Sequence, residues 1–250
     1  MRLDTRSAVD VAELSQLYSY PPDLSRCWVR ANMIASADGG ATVEGRAGGL
    51  AGPGDRVLFR VLRELADVIL VGAGTVRAEN YSGAQISVAA RGERLARGQA
   101  EVPPIAVVTA SGALDLNSRL FTRTEIPPLV FTTGASTVPT RARLQGHAEV
   151  LDASTTDPIV VDPVAVLAEL AQRGLHRVLC EGGPTLLADF VDGRLLDELA
   201  LSVAPMLVSG AAPRVVRGEQ PVATDLRTSH ILADEAGYLY LRYLRAEDDA

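Results

Sequence analysis

The chain has 250 residues, 47% of them hydrophobic and 22% charged, with a formal charge of −7; it is too apolar for a disordered chain and long enough to bury a sizeable core. All 24 basic residues are Arg, which excludes Schiff-base chemistry and a Walker-type phosphate lysine. The acidic balance argues against a nucleic-acid partner. No run of about 18 apolar residues exists to enter a membrane, so a soluble cytoplasmic protein is expected.

Val11, Leu14 and Leu17 recur at helical spacing ahead of Tyr20-Pro21-Pro22, which predicts a short helix and its stop. Residues 1–25 read as an appendage and 26–250 as one domain. Residues 27–35 are mostly apolar and run into Asp38-Gly39-Gly40, a buried strand followed by a turn. Residues 44–54 hold five glycines, a loop suited to approaching a ligand. From there Val57, Leu58, Val61, Leu62 and Leu65 share one face of a helix over about 54–66.

Residues 67–72 form an apolar strand that enters Gly72-Ala73-Gly74-Thr75, and a helix begins near Val76. Strand, glycine turn and helix together present unpaired backbone N–H groups to an anion. Residues 82–103 carry no readable period. Further strands are expected at 105–109, 129–133, 149–151 and 177–180. Between the last two, Asp162 caps a helix, Pro163 opens it and Gly174 ends it, with Val164, Leu167, Leu170 and Ala171 on one face.

Glu181-Gly182-Gly183-Pro184-Thr185 repeats the strand-to-helix transition, with Leu186, Leu187, Phe190 and Val191 on the buried face. Residues 196–207 and 238–244 complete the strands, the last one alternating as an antiparallel strand near a sheet edge does. Cys27 and Cys180 sit in apolar runs as small hydrophobes, and no His/Cys cluster has metal-ligand spacing, so no metal is expected. Two glycine turns in one alternating series suit a dinucleotide lying over both helix N-termini, although the spacing is not the Rossmann fingerprint.

Asn32 to Gly39, Leu62-Arg63, Asp67 to Val76, Glu181 to Leu186 and Ala204 to Val208 stand in one order and spacing across the chain. Together they resemble the bacterial riboflavin-biosynthesis pyrimidine reductase family. The resemblance implies a dihydrofolate-reductase-like α/β fold: a mixed, mostly parallel central sheet flanked by helices, with an antiparallel C-terminal strand. It implies a homodimer that binds NADPH and a small-molecule substrate. The implied reaction transfers hydride to C1′ of 5-amino-6-(5-phosphoribosylamino)uracil and turns its ribosyl group into ribityl.

The resemblance places the cofactor at Ile34, at Gly72, Ala73, Gly74, Thr75 and Glu79, at Thr109 and Ser111, and along Gly182, Gly183, Pro184, Thr185, Leu186 and Leu187. It places the substrate at Arg63 and Glu181, and Glu181, a carboxylate closing an apolar strand, is the first catalytic candidate. Asp38 either meets the substrate or closes its own turn. The H-x-E and P-C-x-x-C signatures of the family's deaminase domain are absent, so a reductase alone is expected. A basic contact to the substrate phosphate, common after position 79, is missing; Arg77, Arg91 or Arg94 could substitute.

A second reading is a pterin reductase using the same cofactor. Asp55 and Phe59, one helical turn apart, resemble the carboxylate and aromatic that dihydrofolate reductase offers its pterin, with Asp55 then catalytic. The alternative is that Asp55 complements the helix dipole and Phe59 packs in the core. A third reading is a protein that binds NADPH without catalysis.

Overall fold

The computed structural model describes residues 8–246. Nine strands form one sheet: β1 (Trp28–Ser36), β2 (Val68–Gly72), β3 (Ile105–Val108), β4 (Leu129–Thr132), β5 (Glu149–Asp152), β6 (Arg177–Cys180), β7 (Glu198–Ala204), β8 (Leu226–Ala233) and β9 (Leu239–Arg245). Their spatial order is β5-β4-β3-β2-β6-β1-β7-β9-β8. The first seven in that order run parallel, and β9 is antiparallel to both β7 and β8.

The central strands alternate between two cores. Ile69 and Val71 of β2, Ile105 and Val107 of β3, and Leu179 of β6 face one cluster. Val68, Leu70, Ala106, Val178 and Cys180 face the other. Burial on both faces is why these strands read as unbroken apolar runs. Each fully buried Val, Leu or Ile contributes about 1.5–3 kcal/mol relative to exposure.

Helices cover both faces. The first cluster is closed by α1 (Val11–Leu17) and α2 (Pro53–Leu65), the second by α7 (Pro163–Gln172) and α8 (Pro184–Asp192). In α7 the Asp162 carboxylate accepts from the Val164 N–H, Pro163 opens the first turn, and Gly174 takes φ +72° just past the end. Both cysteines are free and buried in the second cluster, and burial pushes their thiols up to about 11 for Cys27 and about 12 for Cys180.

The segment before residue 26 is anchored to the sheet. Asp10 and Glu13 close a capping box on α1, Tyr18 is fully buried in the first cluster, and Arg242 of β9 donates to the Leu17 and Ser19 carbonyls.

The unpatterned stretch 82–103 contains α4 (Val88–Ala96). The helices α3 (Ala73–Ala78), α5 (Arg119–Thr122) and α6 (Gly134–Arg143) complete the set. Helix α3 starts at Ala73, ahead of the Val76 expected, because Gly72 itself serves as the N-cap. Strand β8, unforeseen in the sequence, forms the edge beyond β9.

Candidate active site

The two glycine turns, more than 100 positions apart, touch each other. Strands β2 and β6 are parallel neighbours, so both turns leave the same sheet edge at the carboxyl ends of the strands, where open α/β sheets bind ligands. The Gly72 N–H donates to the Gly182 carbonyl at 2.7 Å. A Cβ on Gly183 would stand 2.7 Å from Thr75 Oγ1, a distance that no side chain tolerates unmoved. Gly182 takes φ +78°, a left-handed conformation that favours glycine, and the Gly182–Gly183 peptide is cis.

Beside this junction lies a cleft of about 600 Å³. Ile34, Gly74, Thr75, Glu79, Gly183 and Pro184 form part of its wall. Helix α8 begins at Gly183 with Pro184 in its first turn and no side-chain cap. Its next N–H groups, on Thr185 and Leu186, therefore have no intrahelical acceptor. Gly72 caps α3 in the same uncapped manner. Nothing lies within 4 Å of a Cβ built on Gly74, so that backbone is open to whatever enters.

The opposite wall comes from α2, the residues after α3 and the end of β6. Arg63 reaches from α2 to Glu181, its Nε and Nη2 each donating to one carboxylate oxygen at 2.7 Å. The Tyr81 hydroxyl donates to Glu181 Oε2 at 2.6 Å. The guanidinium also stacks over the Phe59 ring, 4.2 Å from its centre, and flanks Tyr81 at 5.5 Å. Burial works against the Arg63 charge, but the Glu181 carboxylate outweighs it and the guanidinium pKa rises. Burial, with Glu181 adding to it, holds the Tyr81 hydroxyl well above its ordinary value, so that it stays a donor.

Asp55 and Arg56 also line the cleft, from the first turn of α2. Burial raises the Asp55 carboxyl, and the Ser202 hydroxyl and Arg56 pull it partly back. Phe59 is half-buried on the cleft wall under Arg63. Both readings of this helical face therefore survive in part: Asp55 sits in the first turn, where it complements the dipole, and it also faces the cleft.

Several expected contacts lie elsewhere. Asp38 is not on the cleft wall; it accepts from the Ser36 hydroxyl and from the Val208 and Ser209 N–H groups, which hold its carboxyl down at about 2. It closes its own turn. Thr109 and Ser111 are likewise spent locally, accepting from the Gly112 and Ala113 N–H groups. Leu186 and Leu187 are buried in the second cluster and Ala73 in the first, so only their backbones can serve a ligand. Glu79 accepts from the Ala47 N–H at 2.7 Å and thereby holds the glycine loop at the cleft mouth.

Of the substitute arginines, Arg94 is fully buried and donates to the Glu64, Ala66 and Ala100 carbonyls, capping the end of α2. Arg91 pairs with Glu125, and Arg77 donates to the Ala113 carbonyl. Tyr81, Arg56 and Arg119, none of them singled out in the sequence, line the cleft instead.

Residues 27–240 match the RibD C-terminal domain family. The chain belongs to the riboflavin-biosynthesis pyrimidine reductases. A 2,5-diamino-6-ribosylamino-4(3H)-pyrimidinone 5′-phosphate reductase of Aquifex aeolicus is 31% identical over 170 residues, covering 66% of this chain and 70% of that one. Its counterpart in Methanothermobacter thermautotrophicus is 28% identical over 218 residues, covering 84% and 95%. A pyrimidine reductase-like protein of Corynebacterium diphtheriae superposes with TM-score 0.79 at 28% identity, over 89% of this chain and 93% of that one. The Rib7 riboflavin biosynthesis reductase of Saccharomyces cerevisiae, at 16% identity, shares the fold with TM-score 0.70, over 95% and 100%.

This pyrimidine reductase therefore has the mixed, mostly parallel sheet of the dihydrofolate-reductase-like enzymes, and its oxidoreductase class implies a nicotinamide cofactor. The residues present fit one: two uncapped helix starts and an unobstructed Gly74 backbone face one cleft. Gly74→Ala, free of clashes in the fold, is expected to leave the melting temperature of the free protein at or above wild type. The thermal shift given by saturating NADPH is expected to fall as if affinity had dropped about tenfold. An unchanged shift would show that the cofactor does not approach this backbone.

Proposed function

We propose that this pyrimidine reductase uses NADPH to reduce the ribosyl group of 5-amino-6-(5-phosphoribosylamino)uracil to ribityl. The observation that carries the reading is the Arg63–Glu181–Tyr81 constellation, which abuts the joined glycine turns in one cleft. The cofactor supplies a hydride. In the balanced reaction C1′ gains that hydride, the C1′–O4′ bond breaks and O4′ takes a proton.

The chain's part is positioning and exclusion of water. The backbones of Gly74, Thr75 and Gly183 to Leu186 would hold the pyrophosphate, with Ile34 against the nicotinamide end. Phe59 offers a flat face to the pyrimidine, and Glu181 keeps Arg63 fixed above it. With both oxygens already accepting, Glu181 serves as the group that fixes Arg63 rather than as a proton donor. The relatives' names specify a 2,5-diaminopyrimidinone, so the assay includes that compound beside the uracil.

A specific observation favours a second substrate class. Asp55, its carboxyl raised by burial, faces the cleft one turn from Phe59, an arrangement suited to protonating a bound pterin. NADPH oxidation should be followed with the two ribosylaminopyrimidine phosphates and with dihydrofolate, in the wild type and in Asp55→Asn. The proposal expects turnover of a ribosylaminopyrimidine phosphate and faster oxidation of NADPH than of NADH. Turnover of dihydrofolate alone, lost in Asp55→Asn, replaces it with the pterin reading. Cofactor-induced stabilisation without turnover of any substrate overturns catalysis.

The assembly in this proposal is a homodimer in the cytoplasm. Exposed Ile231 and Leu239 on the β8–β9 ribbon support it as a contact face, and sedimentation as a monomer would remove it. Among the described residues no helix is long and apolar enough to cross a membrane.

A further inference from the structure

The cleft wall carries three guanidinium groups, and two of them have acidic company. Arg63 is held by Glu181, and Arg56 stands beside Asp55, whose charged form it favours. The third is Arg119, the first residue of α5. Its side chain is exposed, and among the described residues it makes no ion pair. The remaining acid of the cleft, Glu79, is occupied by the Ala47 N–H. Arg119 is thus a cation directed to the cleft without an anion.

Its placement follows from one close backbone approach. The Gly83 N–H donates to the Arg123 carbonyl at 2.9 Å, and a Cβ on Gly83 would stand 2.7 Å from Thr124 Cα. Only glycine lets the α5 segment lie this near to residues 80–83. Asn80, Tyr81 and Ser82 line the cleft on that side, and Tyr81 is bonded to Glu181. Arg119 therefore belongs to the Arg63–Tyr81 side of the cleft and not to the Gly74–Gly183 side, where the helix starts face an anion of their own. The sequence lacks a basic residue in the stretch directly after Glu79, and a different element brings one to the same wall.

We infer that Arg119 anchors a phosphate monoester of the substrate, giving the cleft its preference for a phosphorylated ribosyl group. The inference rests on the proposed reductase reading for the substrate's identity, while the anchor itself is a statement about one guanidinium and one phosphate. A phosphate monoester could also come from the 2′ position of NADPH, and the test separates the two sources.

In the intact chain, Arg119→Ala is expected to raise KM for the ribosylaminopyrimidine 5′-phosphate by roughly 10- to 100-fold with kcat within about twofold. KM for the dephosphorylated compound should not change. Arg119→Lys should recover most of the loss, and Arg123→Ala, whose side chain lies off the cleft wall, should match wild type. An equal rise in KM for both compounds, or none, overturns the inference. Loss of affinity for NADPH without loss for NADH assigns Arg119 to the cofactor and also overturns it. Calorimetry with ribose 5-phosphate and ribose gives a reading that needs no turnover. Wild type should prefer the phosphate and Arg119→Ala should not. If no substrate consumes NADPH, the reductase reading fails while this comparison still decides the anchor.

Discussion

Arg63→Met is expected to lower stability by about 3–5 kcal/mol, because it leaves the Glu181 carboxylate buried without its cation. The Glu181 side chain is 2% exposed and that of Arg63 13%, so water cannot take over the lost bonds, and Tyr81 alone satisfies one oxygen. For a chain of this size the melting temperature should drop by roughly 6–20 °C. The double variant Arg63→Met with Glu181→Leu is expected to recover most of that loss, since two apolar side chains of similar volume remove both desolvated charges together. Neither protein should reduce substrate. Thermal melts and NADPH consumption on the single and double variants check this directly. A single variant as stable as wild type would mean that the pair is hydrated and only incidental to the fold. A double variant that regains activity would remove the pair from the site.

The same pair shows where the sequence was informative. Glu181 stood out because a carboxylate at the end of an apolar strand demands a partner, and the structure supplies Arg63 from 118 positions away. Arg63 itself, on the polar side of an amphipathic helix, looked like any solvated arginine. Strands β2 and β6 were legible because each is buried on both faces, and the adjacency of their glycine turns needed only parallel pairing between them. Helix α7 carried its own boundaries in Asp162, Pro163 and Gly174.

What escaped reading escaped for physical reasons. In α4 the apolar Val88 and Leu95 are exposed while Arg94 is buried, which inverts the pattern that periodicity detects. Arg94 is inside because the end of α2 needs donors for its open carbonyls, a demand set by a helix 30 positions earlier. Helix α6 contains Pro139 and three threonines, all poor helix formers, and tertiary contact overrides them. Strand β8 is exposed along nearly its whole length, so no apolar alternation was selected there. The placement of Arg119 depends on Gly83 admitting α5, and close approach between distant segments leaves no local signal.

The second large effect is expected at Glu198, which is wholly buried and far from the cleft chemistry. Its carboxylate accepts from Arg30 Nε and Nη2, from Arg242 Nε and Nη2, and from Trp28 Nε1. Arg30 also stacks 3.9 Å from the centre of the Tyr20 ring. One acid thus neutralises two guanidiniums that join β1, β7 and β9 to the residues after α1. Burial alone would raise the Glu198 carboxyl, but Arg30 and Arg242 outweigh it and hold it below its ordinary value of 4.5. A depressed folded value means that this stabilisation is present above the unfolded value and is lost as pH falls through the folded one. Glu198→Gln should therefore cost about 3–5 kcal/mol at neutral pH and flatten the acid limb of the stability curve below about pH 4.5. Arg242→Met should cost less, because Arg30 and Glu198 remain a one-to-one pair. Chemical denaturation from pH 3 to 7 on the three proteins orders them. If Arg242→Met proved the more damaging, the ties from Arg242 to the Leu17 and Ser19 carbonyls, and not charge balance around Glu198, would be what fastens the N-terminal segment to the sheet.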